Sequence, residues 1–305
     1  MNPTVSVIIP THNHSRFVGQ AIDSVLAQTH APFEVIVVDD GSSDDTPAAL
    51  VPYSAQIRVL RQDNQGVSAA RNNGARVATG DVLAFLDADD LWFPEKLQHQ
   101  VERFLEEPDL GLVHCGIEEI DGTGACLNRR LDGREGWAAT EMLLLSNPVV
   151  LGAGSTAMIP RPVFERMGGF DTRLSTSADW DLCYRIATHH RIGFVREILV
   201  SYRLHGSNMH RNVRVMEHDM LLGYQKAFSD SNAQVQEIRR RCYGNLHAVL
   251  AGSFFSVGAY GGFVKHALKS IMLTPDNLRQ FAAFPIRRWR RREALPIDSS
   301  SETAV

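Results

Sequence analysis

The first hundred residues alternate short apolar runs with segments of helical periodicity, and this alternation restricts the fold. The first run, Val5–Ile9, is almost entirely apolar, which is typical of a strand buried on both faces of a parallel sheet. Further strands are predicted at Glu34–Asp39, Ile57–Leu60 and Val82–Leu86. Four strands joined by three crossover helices predict a doubly wound α/β sheet, Rossmann-like, with flanking helices.

Polar side chains follow three of these strands. The first strand runs into Thr11-His12-Asn13, the second into Asp39–Ser43, and the fourth into Asp87–Asp90. The carboxyl ends of parallel strands share one edge of a sheet, and ligands of open α/β sheets bind outside that edge. The sequence therefore predicts an acidic ligand site there.

The second half of the chain has a different pattern. Strands are predicted at Leu112–Ile120, Ser155–Ile159 and Gly193–Val200, and a helix at Asp179–His189. From about residue 210 the pattern is helical, and the chain ends in a polar tail that is expected to be disordered. We therefore expect a first domain over residues 1–208 and a mainly helical C-terminal extension over residues 209–305.

Composition excludes several classes of protein. A chain of 305 residues buries a core without disulfides, and the wide scatter of its four cysteines fits reduced thiols in the cytoplasm. The absence of a C-x-x-C pair argues against a zinc ribbon and against thioredoxin-type chemistry. The net charge of −4 gives no reason to expect nucleic acid as a partner. The N-terminus lacks the basic and apolar segments of a signal peptide, and the glycine-rich stretch Ala248–Val264 is a poor membrane span.

Three common site motifs are absent, and one acidic motif is present. The sequence contains no G-x-G-x-x-G after the first strand, no P-loop and no H-E-x-x-H. Asp87 and Asp89 form a D-x-D pair that can hold Mg²⁺ or Mn²⁺, which take oxygen ligands and substrate phosphates. The structural alternative for this motif is a helix N-cap, supplied by Asp90 before Trp92-Phe93-Pro94.

Six blocks in order together resemble family 2 glycosyltransferases. They are VSVIIPTHN (5–13), FEVIVVDDGSSDDT (33–46), NQGVSAARNNGARVATGD (64–81), FLDADD (85–90), MGGFD (167–171) and ADWDLCYR (178–185). The resemblance covers about residues 3–208 and is specific for the family but not for a substrate. It implies a GT-A-type fold, a nucleotide-sugar donor, a divalent cation (Mn²⁺ or Mg²⁺) and inversion at the anomeric carbon.

The resemblance also implies roles for individual residues. Asp39 matches the aspartate that binds the base, and Arg71 belongs to the A-R-N block near the nucleotide. The implied nucleotide-sugar contacts are Thr11, Asn13, Asp39, Arg71 and Asp87. The implied metal ligands are Asp87, Asp89 and His205. Asp40, Ser42 and Ser43 are interpreted as turn formers rather than ligands.

The candidate catalytic base lies in the block that begins at Ala178. Asp179 and Asp181 point about 200° apart on a helix, so only one of them faces the sheet edge. Asp181 has Arg185 four residues later, the spacing of a surface ion pair, whereas Asp179 has no such partner. Asp179 is therefore the predicted base. Ala178 departs from the glutamate that is usual in the family, which leaves a non-catalytic nucleotide-sugar-binding module as the alternative.

The C-terminal segment is basic and contains aromatic residues. Arg287, Arg288, Trp289 and Arg290 suit contact with an anionic membrane surface, and the alternative is a solvated helix end. The Q-x-x-R-W motif of processive synthases is absent because Pro285 occupies the glutamine position. A nucleotidyltransferase would need a glycine- and lysine-rich loop after the first strand, which Pro10-Thr11-His12-Asn13 lacks.

The resulting hypothesis is a metal-dependent, inverting, non-processive glycosyltransferase. The donor is expected to be a nucleotide sugar, UDP-linked, and the acceptor a hydroxyl of a glycan or of a lipid-linked molecule. Such an enzyme is expected in polysaccharide biosynthesis for the cell envelope, in the cytoplasm or peripherally at the inner face of the plasma membrane.

Overall fold

The computed structural model describes residues 2–206, 212–229 and 233–282. The chain forms two compact units, of which the first ends at Asp230 and the second begins at Ser231. The predicted boundary after residue 208 differs from this division, because the helix that follows it belongs to the first unit. The basic residues at positions 287–290 lie outside the described residues.

The first unit is built on one mixed sheet, to which the described residues contribute nine strands. Their order in the sheet is β3-β2-β1-β4-β8-β6-β9-β5, with β7 paired to β6. The strands are β1 (Val5–Thr11), β2 (Glu34–Asp40), β3 (Arg58–Gln62), β4 (Val82–Phe85), β5 (Leu91–Trp92), β6 (Leu112–Ile120), β7 (Cys126–Arg130), β8 (Met158–Pro160) and β9 (Ile192–Arg203).

Helices flank the sheet and connect its strands. Those of the first unit are α1 (Val18–Leu26), α2 (Thr46–Leu50), α3 (Val67–Val77), α4 (Lys96–Glu106), α5 (Ala139–Leu144), α6 (Ala153–Thr156), α7 (Arg161–Arg166), α8 (Ala178–Ala187) and α9 (Val213–Ser229). The second unit contains α10 (Ala233–Ser256), α11 (Tyr260–Leu273) and α12 (Leu278–Ala282). Among the described residues, no helix combines the length and apolar character needed to cross a membrane.

The parallel half of the sheet, β3-β2-β1-β4, is the predicted doubly wound core. All seven residues of β1 are buried, because β2 and β4 flank it in the sheet and helices cover both faces. β1 continues through Pro10 to Thr11 rather than stopping at the proline. The pairing of β4 with β1 ends at Ile8. Pro10, which has no N–H, therefore breaks no hydrogen bond between these two strands.

The rest of the sheet is antiparallel or mixed, and the sequence predicted it less well. The expected strand Ser155–Ile159 is wrong in its first half, because Ser155 and Thr156 belong to the short helix α6 and only Met158–Pro160 forms a strand. Asp90 is not a helix cap, since α4 begins at Lys96. The α/β fold class and the helical C-terminal region are as predicted.

Candidate functional site

A cavity of about 500 Å³ opens where β1, β2 and β4 end. Its wall combines the loop after β1, the first turn of α3, and Asp87–Asp90 after β4. Ser175, Thr176 and Asp179 close it from the side of α8, and Tyr202 of β9 completes it. The register of β1 with β2 pairs Thr11 with Asp39, so the polar ends of these strands meet at one edge, as the sequence predicted.

Arg71 and Asp87 form an ion pair in the wall of the cavity. A terminal guanidinium nitrogen of Arg71 lies 2.5 Å from Oδ1 of Asp87, and the guanidinium carbon lies 5.2 Å from the centre of the Phe170 ring. The Arg71 side chain is buried, and its Nε has no hydrogen-bond partner among the described residues. Gly154 allows this pair, because a Cβ there would lie 2.5 Å from the Asp87 carboxylate.

Asp179 and Asp181 both lie in the first turn of α8, but only Asp179 lines the cavity. Loss of solvation raises the pKa of the Asp179 carboxyl, although the nearby Arg71 charge acts in the opposite direction. Its Oδ1 accepts a hydrogen bond of 2.8 Å from the backbone N–H of Trp180. A carboxylate in this setting suits proton abstraction. Ala178, the position that departs from the family pattern, is buried and is not part of the cavity wall.

Asp181 points to the opposite side of α8, where two cationic side chains hold its carboxylate away from the cavity. Its carboxylate pairs with Arg185, as the spacing predicted, and this carboxylate is buried whereas the Arg185 side chain is partly exposed. Lys226 of α9 donates to Asp181 and to Asp171, at 2.7 Å each. Trp180 stacks between Tyr184 and Tyr224 rather than lining the cavity. This cluster fixes α8, and hence Asp179, against α9.

A second contact from α9 shapes the cavity directly, and sequence reasoning missed it. Oδ2 of the buried Asp219 accepts hydrogen bonds of 2.8 Å from the backbone N–H groups of Ser175 and Thr176. These two residues lie in the cavity wall just before α8. No motif marks Asp219, because a single aspartate within a helical pattern carries no signal for a buried role.

The two aspartates at the end of β2 have different environments. Asp39 is not among the residues that line the cavity, and its Oδ1 accepts the backbone N–H of Ser42 at 2.9 Å. Asp40, which the sequence analysis interpreted as a turn former, lines the cavity instead. Neighbouring residues of a strand point to opposite faces, so only one of the two faces the ligand side. Asp40 accepts the backbone N–H groups of Gln65 and Gly66 at 2.8 Å each.

The loop after β1 holds the remaining predicted nucleotide contacts. Thr11 lines the cavity, and its buried Oγ1 has no hydrogen-bond partner in the part of the chain that the structure describes. Asn13 has the left-handed φ of 55°, and its Oδ1 accepts the backbone N–H groups of Ser43 and Asp44. Thr11 therefore has a free hydroxyl to offer a ligand, whereas the Asn13 amide oxygen is committed to the loop after β2.

His14, Asp89 and His205 form a cluster beside the cavity. Nε2 of His205 lies 2.8 Å and Nε2 of His14 3.9 Å from Oδ2 of Asp89, and one ligand atom from each residue lies within 4.8 Å of the others. Nδ1 of His14 lies 2.8 Å from the carbonyl oxygen of His12. That carbonyl only accepts, so Nδ1 carries a proton, and Nε2 is the nitrogen that faces Asp89.

Two imidazoles and a carboxylate fit a divalent cation of the first transition row. Sequence reasoning included Asp89 and His205 in the metal set but missed His14. Asp87, also predicted as a ligand, is not in this cluster, because its carboxylate faces Arg71.

Asp90 is buried and accepts hydrogen bonds from Ser155 Oγ and the backbone N–H of Arg203. Burial and the neighbouring aspartates raise its pKa well above the ordinary value.

Comparisons with known proteins agree with this fold. The sequence profile described as "Glycosyl transferase family 2" matches residues 6–168, more than half of the chain. The chain therefore belongs to glycosyl transferase family 2.

Similar proteins include curated sequences and solved structures. An uncharacterised glycosyltransferase from Rickettsia prowazekii (strain Madrid E) is 34% identical over 209 residues, which cover 68% of this chain and 65% of the relative. One from Nostoc sp. (strain PCC 7120) is 36% identical over 222 residues, covering 68% and 66%. The matched region thus spans just under two thirds of these relatives.

Among solved structures, the mannosyltransferase PcManGT from Pyrobaculum calidifontis, in complex with GDP-Man and Mn²⁺, has a TM-score of 0.65 at 21% identity. The match covers 96% of this chain and 85% of that protein. At this identity the likeness establishes a shared fold, which agrees with the predicted GT-A-type architecture.

Proposed function

We propose that this protein transfers a sugar, with inversion, from a nucleotide-sugar donor to a hydroxyl of an acceptor, and that it releases its product after each transfer. The observation that carries this proposal is the convergence of three features on one cavity. These are the buried Arg71–Asp87 pair, the Asp89 cluster with two histidines, and the raised-pKa carboxyl of Asp179. Each suits one part of the donor or acceptor.

In the proposed complex, the nucleotide occupies the part of the cavity next to β1 and α3. The free hydroxyl of Thr11 and the buried Arg71 Nε offer two unused polar groups to the base and ribose. Asp39 stays the proposed contact to the base, as the resemblance implies, and its neighbour Asp40 lines the cavity while its carboxylate holds the backbone of Gln65 and Gly66. The resemblance favours a UDP-linked donor, whereas the similar mannosyltransferase was solved with GDP-Man.

The cluster of Asp89, His205 and His14 is the proposed cation site. A divalent cation bound there supplies charge neutralisation for the diphosphate leaving group. Mn²⁺ fits both the donor set and the ion in the similar mannosyltransferase, and Mg²⁺ fits less well because imidazole is a weaker ligand for it. His12 orients His14 through its carbonyl, and the Arg71 guanidinium holds the Asp87 carboxylate beside the cation site.

Asp179 is the proposed general base. Its carboxylate accepts the proton of the acceptor hydroxyl while that oxygen forms the new bond to the anomeric carbon and the diphosphate leaves. Because the pKa of the Asp179 carboxyl is raised, its ionised form accepts a proton more readily than that of an ordinary aspartate. The side of the cavity formed by Ser175, Thr176 and Asp179 is therefore the proposed acceptor side.

The proposed acceptor is a glycan or a lipid-linked molecule of cell-envelope polysaccharide synthesis, and the proposed compartment is the cytoplasm. All four cysteines are free thiols, which suits a reducing compartment. Three of them, Cys115, Cys183 and Cys242, are buried, and burial raises the pKa of the Cys115 thiol to about 12. These thiols therefore have no catalytic part in the proposal.

A donor-hydrolysis screen tests the proposed function. UDP-, GDP- and dTDP-sugars are incubated with the protein and Mn²⁺, and release of the nucleoside diphosphate is measured. We expect turnover of at least one donor, abolished by Asp89→Asn but not by Asp109→Asn, an exposed aspartate away from the cavity. Binding of a nucleotide sugar without any turnover would instead support the non-catalytic module.

A further inference from the structure

Helix α11 of the second unit has one buried side. His266, Ala267 and Ser270 are buried on it. The hydroxyl of Ser270 donates to the carbonyl of Gly244 in α10 at 2.8 Å. Nδ1 of His266 lies 2.9 Å from Nδ1 of His247, which is also in α10. The side of α11 that carries these three residues therefore packs against α10.

The opposite side of α11 exposes a row of large apolar residues. Tyr260, Val264, Leu268 and Met272 recur every fourth residue, and 57%, 51%, 59% and 75% of their surfaces are exposed. At about 100° per residue, this spacing places the four side chains within an arc of about 120° along roughly 18 Å of helix. Single exposed apolar residues are ordinary, but a continuous row of this kind marks an interaction surface.

The edge of this row is basic. Lys265 and Lys269 follow Val264 and Leu268 by one position, about 100° further round the helix, and both are exposed. At the end of α11, the guanidinium of Arg240 donates to the carbonyls of Met272 and Leu273. The sequence of α11 contains no acidic residue, and residues 233–282 hold six Lys and Arg against two acids.

Charge decides between the possible occupants of this surface. A second copy of the same surface would bring lysines against lysines. The chain beyond residue 282 carries five arginines between positions 287 and 292, so it has the same sign of charge as α11. Neither is complementary to Lys265 and Lys269. A layer of anionic lipid is complementary, because it combines an apolar interior with negative headgroups.

We propose that α11 docks on the surface of a membrane that contains anionic lipid. Tyr260, Val264, Leu268 and Met272 form its lipid face and enter the boundary between headgroups and acyl chains. Lys265 and Lys269 lie at the level of the lipid phosphates. The helix lies in the plane of the surface, and this docking requires neither the donor nor the cation of the proposed reaction.

Vesicle binding of the full chain tests this surface. Vesicles of phosphatidylglycerol mixed with phosphatidylcholine, and vesicles of phosphatidylcholine alone, are pelleted with wild-type protein and with the triple variant Val264→Ser/Leu268→Ser/Met272→Ser. The control is Val51→Ser/Val59→Ser/Leu127→Ser, which removes three comparably exposed apolar residues from the first unit. Circular dichroism and size-exclusion chromatography establish that every variant is folded and report its oligomeric state.

We expect wild type and control to bind the anionic vesicles, and the α11 variant to bind at least about 10-fold more weakly, because several CH₂ groups leave the boundary region. Lys265→Gln/Lys269→Gln should weaken binding and reduce its sensitivity to salt. Equal binding of the α11 variant and wild type would overturn the proposal, as would wild-type protein that ignores anionic vesicles. A wild-type dimer that becomes a monomer in the α11 variant would assign this surface to self-association instead.

Discussion

Nε2 of His205 lies 2.8 Å from Oδ2 of Asp89, a residue 116 positions earlier in the chain. Asp89 follows β4, His205 follows β9, and His14 follows β1, so three separate strand ends bring their side chains to one point. This meeting of strand ends places the cluster beside the cavity that is the proposed nucleotide site. The cluster thereby links the topology of the sheet to the proposed chemistry.

His14 is the least expected member of this cluster, and its removal is the first prediction. His14→Ala should lower the affinity for Mn²⁺ at least about 10-fold, the scale on which groups that support a metal site act. The matched control is His218→Ala, an exposed histidine of α9 outside the cluster. Electron paramagnetic resonance of free Mn²⁺ during titration measures the affinity without any donor. Equal affinities for His14→Ala and wild type would remove His14 from the site.

The two aspartates of α8 give a second prediction with a built-in control. Asp179→Asn should retain donor binding but lose transfer by about 10²-fold or more, because the variant cannot accept the acceptor proton. Asp181→Asn should retain turnover in the folded fraction but lower the melting temperature, because it weakens the ion pairs of this buried carboxylate with Arg185 and Lys226. Initial rates and thermal unfolding of both variants check this. Loss of turnover in a well-folded Asp181→Asn, with an active Asp179→Asn, would reverse the assignment.

The unpartnered hydroxyl of Thr11 gives a third prediction. Thr11→Val keeps the shape of the side chain and removes a buried polar atom that has no partner among the described residues. Its stability should equal or exceed that of wild type, whereas nucleotide affinity should fall by about 10-fold, the value of one hydrogen bond. Thr156→Val is the contrasting variant, because Thr156 Oγ1 donates to the carbonyl of Leu151, and it should lose stability. Unchanged nucleotide affinity in Thr11→Val would exclude this contact.

Buried Lys96 gives a prediction about stability and pH. Its ammonium lies 2.6 Å from Gln100 Oε1 and 4.0 Å from the centre of the Trp92 ring, and burial lowers the pKa of Lys96 to about 8. Between pH 8 and about 10.5, the unfolded chain therefore binds a proton that the folded chain has lost, so stability rises with pH. Relative to Lys96→Met, the wild type should gain up to about 1.4 kcal/mol per pH unit in this interval. Urea unfolding of both proteins at pH 7, 8, 9 and 10 measures the difference. Parallel stability profiles would show that Lys96 stays charged in the folded protein.

The parallel half of the sheet could be predicted because its strands are continuous apolar runs. Apart from Ser6, the runs Val5–Ile9 and Val82–Leu86 contain no polar residue, whereas a half-exposed strand would alternate polar and apolar residues. The region around Ser155 was harder, because a short segment of small residues is compatible with either a helix or a strand. Its structure as α6 depends on tertiary contacts, such as the hydrogen bond from Ser155 Oγ to Asp90.

The site could be predicted only in part. Motif matching selected Asp39 as the base contact, which stays a prediction, whereas the cavity wall includes its neighbour Asp40, because adjacent residues of β2 point to opposite faces. His14 and Asp219 act through contacts with residues 75 and 44 positions away, and such contacts leave no periodic pattern in one sequence.

The proposed function depends most on Asp89, the proposed ligand of the cation that joins the donor's diphosphate to the protein. Calorimetric titration of UDP and GDP into wild type and Asp89→Asn, each with Mn²⁺ and with a chelator, tests it most directly. We expect Mn²⁺ to strengthen binding of at least one nucleotide to wild type, and Asp89→Asn to lose this gain while its binding in chelator is unchanged. Equal nucleotide affinities for the two proteins, with and without Mn²⁺, would contradict it.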